Sequence, residues 1–188
     1  MKRLLMSWLC LLLVGPVLAA TPLPGDSVYQ LGARLTDQDG HSWSLSARRG
    51  RVQLMTMFYT SCTMVCPMIV DTMKATRKAV GEPARDKLDL LAVSFDPARD
   101  NVAALHQYAQ KRQLDAPHWT LARADPADVR ALSALLGVQY RQLPDGDFNH
   151  SSELILLDSD GRIIARTTVI GRVDPAFVDA VRKALASS

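Results

Sequence analysis

Val52-Gln53-Leu54-Met55-Thr56-Met57-Phe58 runs directly into Tyr59-Thr60-Ser61-Cys62-Thr63-Met64-Val65-Cys66-Pro67. The first seven residues are mostly apolar and follow Arg48-Arg49-Gly50. A short apolar run bounded in this way reads as a strand buried in the centre of a sheet. Tyr59-Thr60-Ser61 breaks it, and both cysteines follow at once. From Pro67 to about Val80, the apolar positions Met68, Val70, Met73, Ala75 and Val80 predict a helix. Pro67 is tolerated in its first turn, where its missing N–H has no helical partner to lose.

Working outward, the same alternation repeats. Leu88 to Phe95 is a second buried strand, and Arg99 to Gln113 has Val102, Leu105, Tyr108 and Ala109 at helical spacing. Trp119-Thr120-Leu121 is a short strand. Asp125-Pro126 opens a helix that runs to Leu136 and stops at Gly137. Upstream, Asp39-Gly40 between strand-like pieces predicts a hairpin over 35–43, and Asp158-Ser159-Asp160-Gly161 predicts another between 153–157 and 163–169. Asp174-Pro175 starts a terminal helix that ends near Ala186. Strands alternating with helices, closed by an antiparallel hairpin and a helix, predict an α/β thioredoxin-like fold: a central mixed sheet flanked by helices, with an N-terminal β-hairpin extension. The Cys62 loop then lies at the carboxyl end of a central strand and against a helix N-terminus, where such sheets carry their sites.

The 188 residues suit one domain with a real core. The formal charge of +3 owes two units to Lys2 and Arg3; without them 20 basic residues face 19 acidic ones. No basic stripe is present, which excludes a nucleic-acid partner. Lys2 and Arg3 precede the apolar stretch from Leu4 to Leu13, then Gly15-Pro16 and Val17-Leu18-Ala19-Ala20. This pattern predicts a signal peptide over 1–20, cleaved after Ala19 or retained as an N-terminal anchor. The chain is exported in either case, with membrane association open through the N-terminus. Residues 21–30, which carry Pro and Gly, read as a tether, and 31–188 as the folded domain.

Without the leader and its Cys10, two cysteines remain. A disulfide across four positions closes a very small loop and constrains the unfolded chain little, so stability does not explain the pair. At a helix N-terminus the free N–H groups and partial positive charge favour thiolate. Thiolate is both a soft ligand for Cu(I) or Zn(II) and a redox nucleophile, and position alone does not separate these roles. His150, in Asn149-His150-Ser151-Ser152, lies in a loop expected to return to the same edge, where an imidazole completes a three-coordinate site. His41, His106 and His118 fall in a hairpin, a helix face and a strand approach. Met55 and Met57 are expected in the core, and Met64, between the cysteines, is a further thioether beside the site.

Three blocks carry a resemblance. Phe58-Tyr59-Thr60-Ser61-Cys62 through Cys66-Pro67, Ser94-Phe95-Asp96-Pro97-Ala98-Arg99-Asp100, and Asn149-His150-Ser151-Ser152 with Leu157-Asp158-Ser159-Asp160-Gly161-Arg162 resemble the Sco/SenC family in order and spacing. The similarity runs from about Tyr29 to Leu185. It implies a thioredoxin fold, one copper ion held as Cu(I) or Cu(II) by Cys62, Cys66 and His150, and a role in assembling the copper centre of a respiratory cytochrome c oxidase. It also implies work in the periplasm, on the outer face of the inner membrane. Many members have proline after the first cysteine, where Thr63 stands here. By the same resemblance Asp96 supports the loop or the imidazole; read from the residues alone, it caps the helix ahead of Arg99.

Two functions follow. A metallochaperone takes copper from a periplasmic donor and passes it to the copper-accepting subunit of the oxidase or another exported cuproprotein. A thiol-disulfide oxidoreductase reduces cysteines of an exported acceptor, with Cys62 as nucleophile, Cys66 as resolving thiol and a thioredoxin-like protein as reductant. His150 discriminates, because only the carrier needs it. A peroxidase requires activating groups around a single cysteine, and the paired thiols argue against it.

Overall fold

The computed structural model describes residues 21–114 and 117–187. The leader expected at 1–20 lies outside the described residues, and no described helix is long and apolar enough to cross a membrane.

Among the described residues, nine strands and four α-helices follow one another as β1 (Arg34–Asp37), β2 (Ser42–Ser44), β3 (Val52–Phe58), α1 (Val65–Val80), β4 (Leu88–Ser94), α2 (Val102–Lys111), β5 (Trp119–Ala124), α3 (Pro126–Leu136), β6 (Tyr140–Gln142), β7 (Phe148–His150), β8 (Leu154–Leu157), β9 (Ile163–Thr167) and α4 (Pro175–Ala186). Seven strands form one mixed sheet in the order β2-β1-β5-β4-β3-β8-β9. Its centre is parallel, with Val52 opposite Leu88, Phe58 opposite Ser94 and Leu90 opposite Trp119. Every residue of β3 and β4 is buried, which is why both read as continuous runs without alternation. Helices α1 and α4 pack together, while α2 and α3 lie along β5.

Both expected hairpins are present. Leu35 pairs with Trp43 across the Gly40 turn, and β1 extends the sheet by pairing antiparallel with β5. Leu156 pairs with Ala165 across the second. A third was not anticipated: β6 and β7 form their own two-stranded sheet, with Tyr140 opposite His150 and Gln142 opposite Phe148. Three-residue strands are too short to print a period in the sequence, so only the turn residues between them were readable. His150 therefore ends a strand instead of sitting in an open loop. Helix α1 also begins earlier than expected, at Val65, which places Cys66 inside its first turn.

The end of the expected tether is anchored. Ser27 caps a 3-10 turn over Val28–Leu31, and Val28 and Tyr29 are buried in the core. The Val28 N–H donates to the Gly161 carbonyl at 3.0 Å. At Gly161, φ is +81°, and a Cβ there would lie 2.6 Å from the Tyr29 ring. Backbone conformation and ring contact both demand glycine. Positive φ costs an alanine about 1–2 kcal/mol and a core clash of this kind about 1–3. Gly161→Ala is expected to destabilise the fold by about 2–4 kcal/mol in urea unfolding, with the m-value unchanged; a loss below about 1 kcal/mol would mean that Tyr29 is not fixed in place.

Candidate metal centre

The loop that carries Cys62 is held from below by a carboxylate. Asp100 is fully buried between the end of β4 and α2. It accepts hydrogen bonds from the Thr60 backbone N–H at 3.0 Å, the Thr60 hydroxyl at 2.5 Å and the Ser94 hydroxyl at 2.5 Å. Burial pushes its pKa up, and the three donors pull it back. Asp96 plays neither of its expected parts. Its carboxylate pairs with Arg99, and α2 is capped by Asn101, whose side chain accepts from the Ala104 N–H at 2.9 Å. The loop-supporting role belongs to Asp100, four residues on in the same block.

The two sulfurs differ. Cys62 lines a cavity, whereas Cys66 is 0% exposed. Helix α1 has no side-chain oxygen at its N-cap, Met64. Instead, the Cys66 N–H donates to Cys62 Sγ at 3.3 Å, so the sulfur caps the helix. Hydrogen bonding from the Cys66 thiol, together with backbone N–H groups and Tyr59, pulls the Cys62 pKa down to about 4 against the cost of burial. The same bond and the same burial push Cys66 up. Within the pair, the anion is favoured on Cys62 and the proton on Cys66.

His150 completes the group. One ligand atom from each of Cys62, Cys66 and His150 lies within 4.8 Å of the others. The His150 Nδ1 is 2.9 Å from the Ser151 carbonyl, which can only accept, so Nδ1 carries the proton in the neutral ring. Nε2 is left with a lone pair; it is buried and has no hydrogen-bond partner. The ring is steadied by aromatic neighbours, edge-on to Tyr59 at 5.9 Å and 4.9 Å from Phe95. Phe95 also stacks on Tyr140 at 5.2 Å, and Arg99 lies over Phe148. Such ring pairs are worth about 0.5–1.5 kcal/mol each beyond area burial. The Tyr59 hydroxyl bonds Asp147, which ties the β6–β7 turn to the end of β3. That bond holds Asp147 below the usual carboxylate range, while burial and the same bond push Tyr59 up.

Other sequence candidates fall elsewhere. His41 pairs with Asp37 and His106 with Asp39, both at 3.5 Å, and neither joins the cysteines. His118 lies outside the cysteine group as well. Met55 and Met57 are core residues as expected. Met64 lines the Cys62–His150 cavity but is 79% exposed, at its rim. Tyr59, Asp100 and Asp147 were missed as functional residues, although the first two lie inside blocks whose pattern had been noticed.

Two thiol sulfurs and an imidazole nitrogen, one sulfur anionic and the nitrogen's lone pair free, form a soft donor set suited to Cu(I) or Zn(II). The SCO1/SenC family model matches residues 29–185. The chain belongs to this family. A Stutzerimonas stutzeri protein named for copper binding is 26% identical over 133 residues, which is 69% of this chain and 64% of that protein. The mitochondrial SCO2 homologue of Mus musculus is 28% identical over 161 residues, covering 81% and 61% respectively. The chain thus spans somewhat less than two thirds of the length of these relatives. ScoI of Bradyrhizobium japonicum, solved with copper bound, superposes with a TM-score of 0.66 at 26% identity over 82% of this chain and 96% of that one. The thioredoxin-like architecture of this Sco family member therefore agrees with the element order read from its sequence.

The split between the sulfurs is testable by alkylation. A thiol whose pKa falls from 9.0 to about 4 is anionic at every pH above that value. The Cys62 alkylation rate in the reduced, metal-free protein is expected to stay flat from pH 6 to 8. An ordinary thiol gains about a hundredfold over the same range. Cys66 is expected to resist until the protein unfolds; a Cys62 rate that climbs like an ordinary thiol's would remove the anion.

Proposed function

We propose that this chain is an exported copper carrier that holds one copper ion through Cys62, Cys66 and His150. In this reading it delivers copper to a respiratory cytochrome c oxidase or prepares that enzyme's copper site. The observation that carries the proposal is the His150 Nε2: buried, unpartnered, its lone pair freed by the Ser151 contact and placed beside two sulfurs. A dithiol reductant has no use for an imidazole there, so the geometry favours the carrier over the oxidoreductase. Family membership and relatives named for copper binding or solved with copper bound support the same ligand.

The burial of the three groups suggests an order of release. Cys62 and His150 line a cavity of about 470 Å³, whereas Cys66 does not reach it. Donor groups from an acceptor meet Cys62 and His150 first, and Cys66 is the last ligand to let go. Exposed Met64 at the rim adds a soft thioether on the way in. A periplasmic location, with the protein soluble or tethered to the inner membrane, rests on the leader at 1–20. The acceptor is then the copper subunit of the oxidase or another exported cuproprotein.

Competition of the reduced protein against a Cu(I) chelator tests the reading. The parent is expected to hold one copper per chain, and His150→Ala to bind at least about tenfold more weakly, since one ligand of three is lost. Equal affinity in the two proteins would take His150 out of the site. Cys62→Ser is expected to abolish tight binding. Chelation is expected to leave far-UV circular dichroism unchanged, because a core of this size can fold without metal, unlike that of a zinc finger.

A further inference from the structure

The turn between β1 and β2 carries a second group of side chains able to hold a metal, apart from the sulfurs. One donor atom from each of Asp37, Asp39 and His41 lies within 4.8 Å of the others. The Asp37 N–H donates to the His41 carbonyl at 3.0 Å, and Gly40, at φ +85°, reverses the chain between them. Asp37 Oδ1 accepts from the Asp39 and His41 backbone N–H groups at 3.0 and 2.9 Å. Its Oδ2 is left facing His41 Nδ1 at 3.5 Å, longer than an ordinary hydrogen bond. Two donors each about 2.1 Å from one ion, at a tetrahedral angle, stand about 3.4 Å apart. A different element supplies a further group. His106, on α2, places Nδ1 3.5 Å from Asp39 Oδ1. Its Nε2 is 3.0 Å from the Gln110 amide nitrogen, which can only donate, so Nδ1 carries the proton in the neutral ring and faces the carboxylate. Metal-ligating carboxylates are commonly oriented by such outside donors. Gln38 donates to Asp39 Oδ2 at 3.1 Å, and its own carbonyl oxygen accepts from the Leu121 N–H of β5, which fixes the turn to the sheet. The Asp37 side chain is only 14% exposed. Among the described residues no lysine or arginine pairs with Asp37 or Asp39; Arg48, which lines a cavity with Asp37, is paired with Asp89. Two carboxylates without a cation, converging with an imidazole, fit a divalent ion.

We propose that Asp37, Asp39 and His41 bind a divalent transition-metal ion, with His106 as a positioning residue that steadies Asp39. Among such ions Cu(II) binds a given nitrogen and oxygen donor set most tightly. One imidazole and two carboxylates are harder donors than the sulfurs of Cys62 and Cys66, so Cu(I) goes to the sulfurs and Cu(II) to the turn. None of the four residues lines either cavity that Cys62 reaches. The site therefore stands apart from the sulfur loop and does not rest on the copper carrier reading.

The test titrates Cu(II) into the chain carrying Cys62→Ser and Cys66→Ser, which removes the thiols that would reduce the ion. Glycine serves as competing chelator, and electron paramagnetic resonance reads the ligands. A bound Cu(II) whose signal is split by an imidazole nitrogen is expected. Adding His41→Ala is expected to weaken binding at least about tenfold and to remove that splitting. Asp37→Asn, which keeps an acceptor for the two turn N–H groups, is expected to weaken binding comparably with the splitting retained. His106→Ala is expected to cost about tenfold, again with the splitting retained, and His106→Gln, which keeps a donor, to recover part of the loss. The His41 and His106 side chains are 78% and 50% exposed, so these variants are expected to keep the parent's far-UV circular dichroism. No Cu(II) held against glycine, or a signal and affinity that ignore His41→Ala, would overturn the proposal. So would a signal lost with His150→Ala, which would put the ion at the sulfur loop. Competition for Cu(I) with both cysteines present is expected to be unchanged by His41→Ala, so failure here would leave the carrier reading standing.

Discussion

Three donors converge on Asp100, a fully buried carboxylate, and through it the carboxyl ends of two central strands act as one piece. Ser94 belongs to the end of β4, and Thr60 follows the end of β3. Their shared acceptor fixes where the chain leaves the sheet, two residues before Cys62. The Phe95 N–H extends the ladder to the Phe58 carbonyl at 3.0 Å, so the strands separate together. A buried carboxylate is tolerated only when its lone pairs are met, as they are here. The position of the first sulfur is therefore inherited from the most deeply buried part of the sheet, although the sulfur itself lies at the surface end.

From that fixed start, Thr63, Met64 and Val65 bring the chain into the first turn of α1. Cys62 meets the N–H of Cys66 in place of an oxygen cap, and the unsatisfied helix end favours the anion there. The hydrogen bond between the two side chains, with burial, favours the proton on the deeper cysteine. The unequal sulfurs thus follow from the contact between the two cysteines, with the helix end and Tyr59 adding to it. Tyr59, anchored through Asp147 to the β6–β7 turn, brings the histidine to this arrangement from the other side.

Much of this was readable in advance where the signal is local. The runs at 52–58 and 88–95 read as strands because burial on both faces leaves no alternation to disturb. The Asp-Gly turns announced two hairpins through the φ values they require. The cysteines stood out by type and spacing. What was hidden depends on partners far away in sequence. Asp100 earns its role from Thr60, forty positions earlier, and no periodicity links them. Asp96, more prominent in its block, is occupied by Arg99. The β6–β7 pair is too short to show a pattern, and packing of Phe148 against Phe95 and Tyr59 holds it on the sheet. Val28 and Tyr29 sit in a stretch whose Pro and Gly suggested looseness, yet Gly161 leaves a slot that only a ring fills.

That slot also sets an orientation. The Asp158–Gly161 turn follows β8, which runs antiparallel to β3, so Tyr29 is pinned at the pole where β3 begins, and Thr21 lies there too, held by Arg49. The seven residues of β3 separate this pole from the cysteines, a span of about 23 Å at the usual rise per residue. Were the chain attached to a surface ahead of Thr21, the sulfur-bearing loop would stand at the far pole, like the hand of an arm gripped at the shoulder.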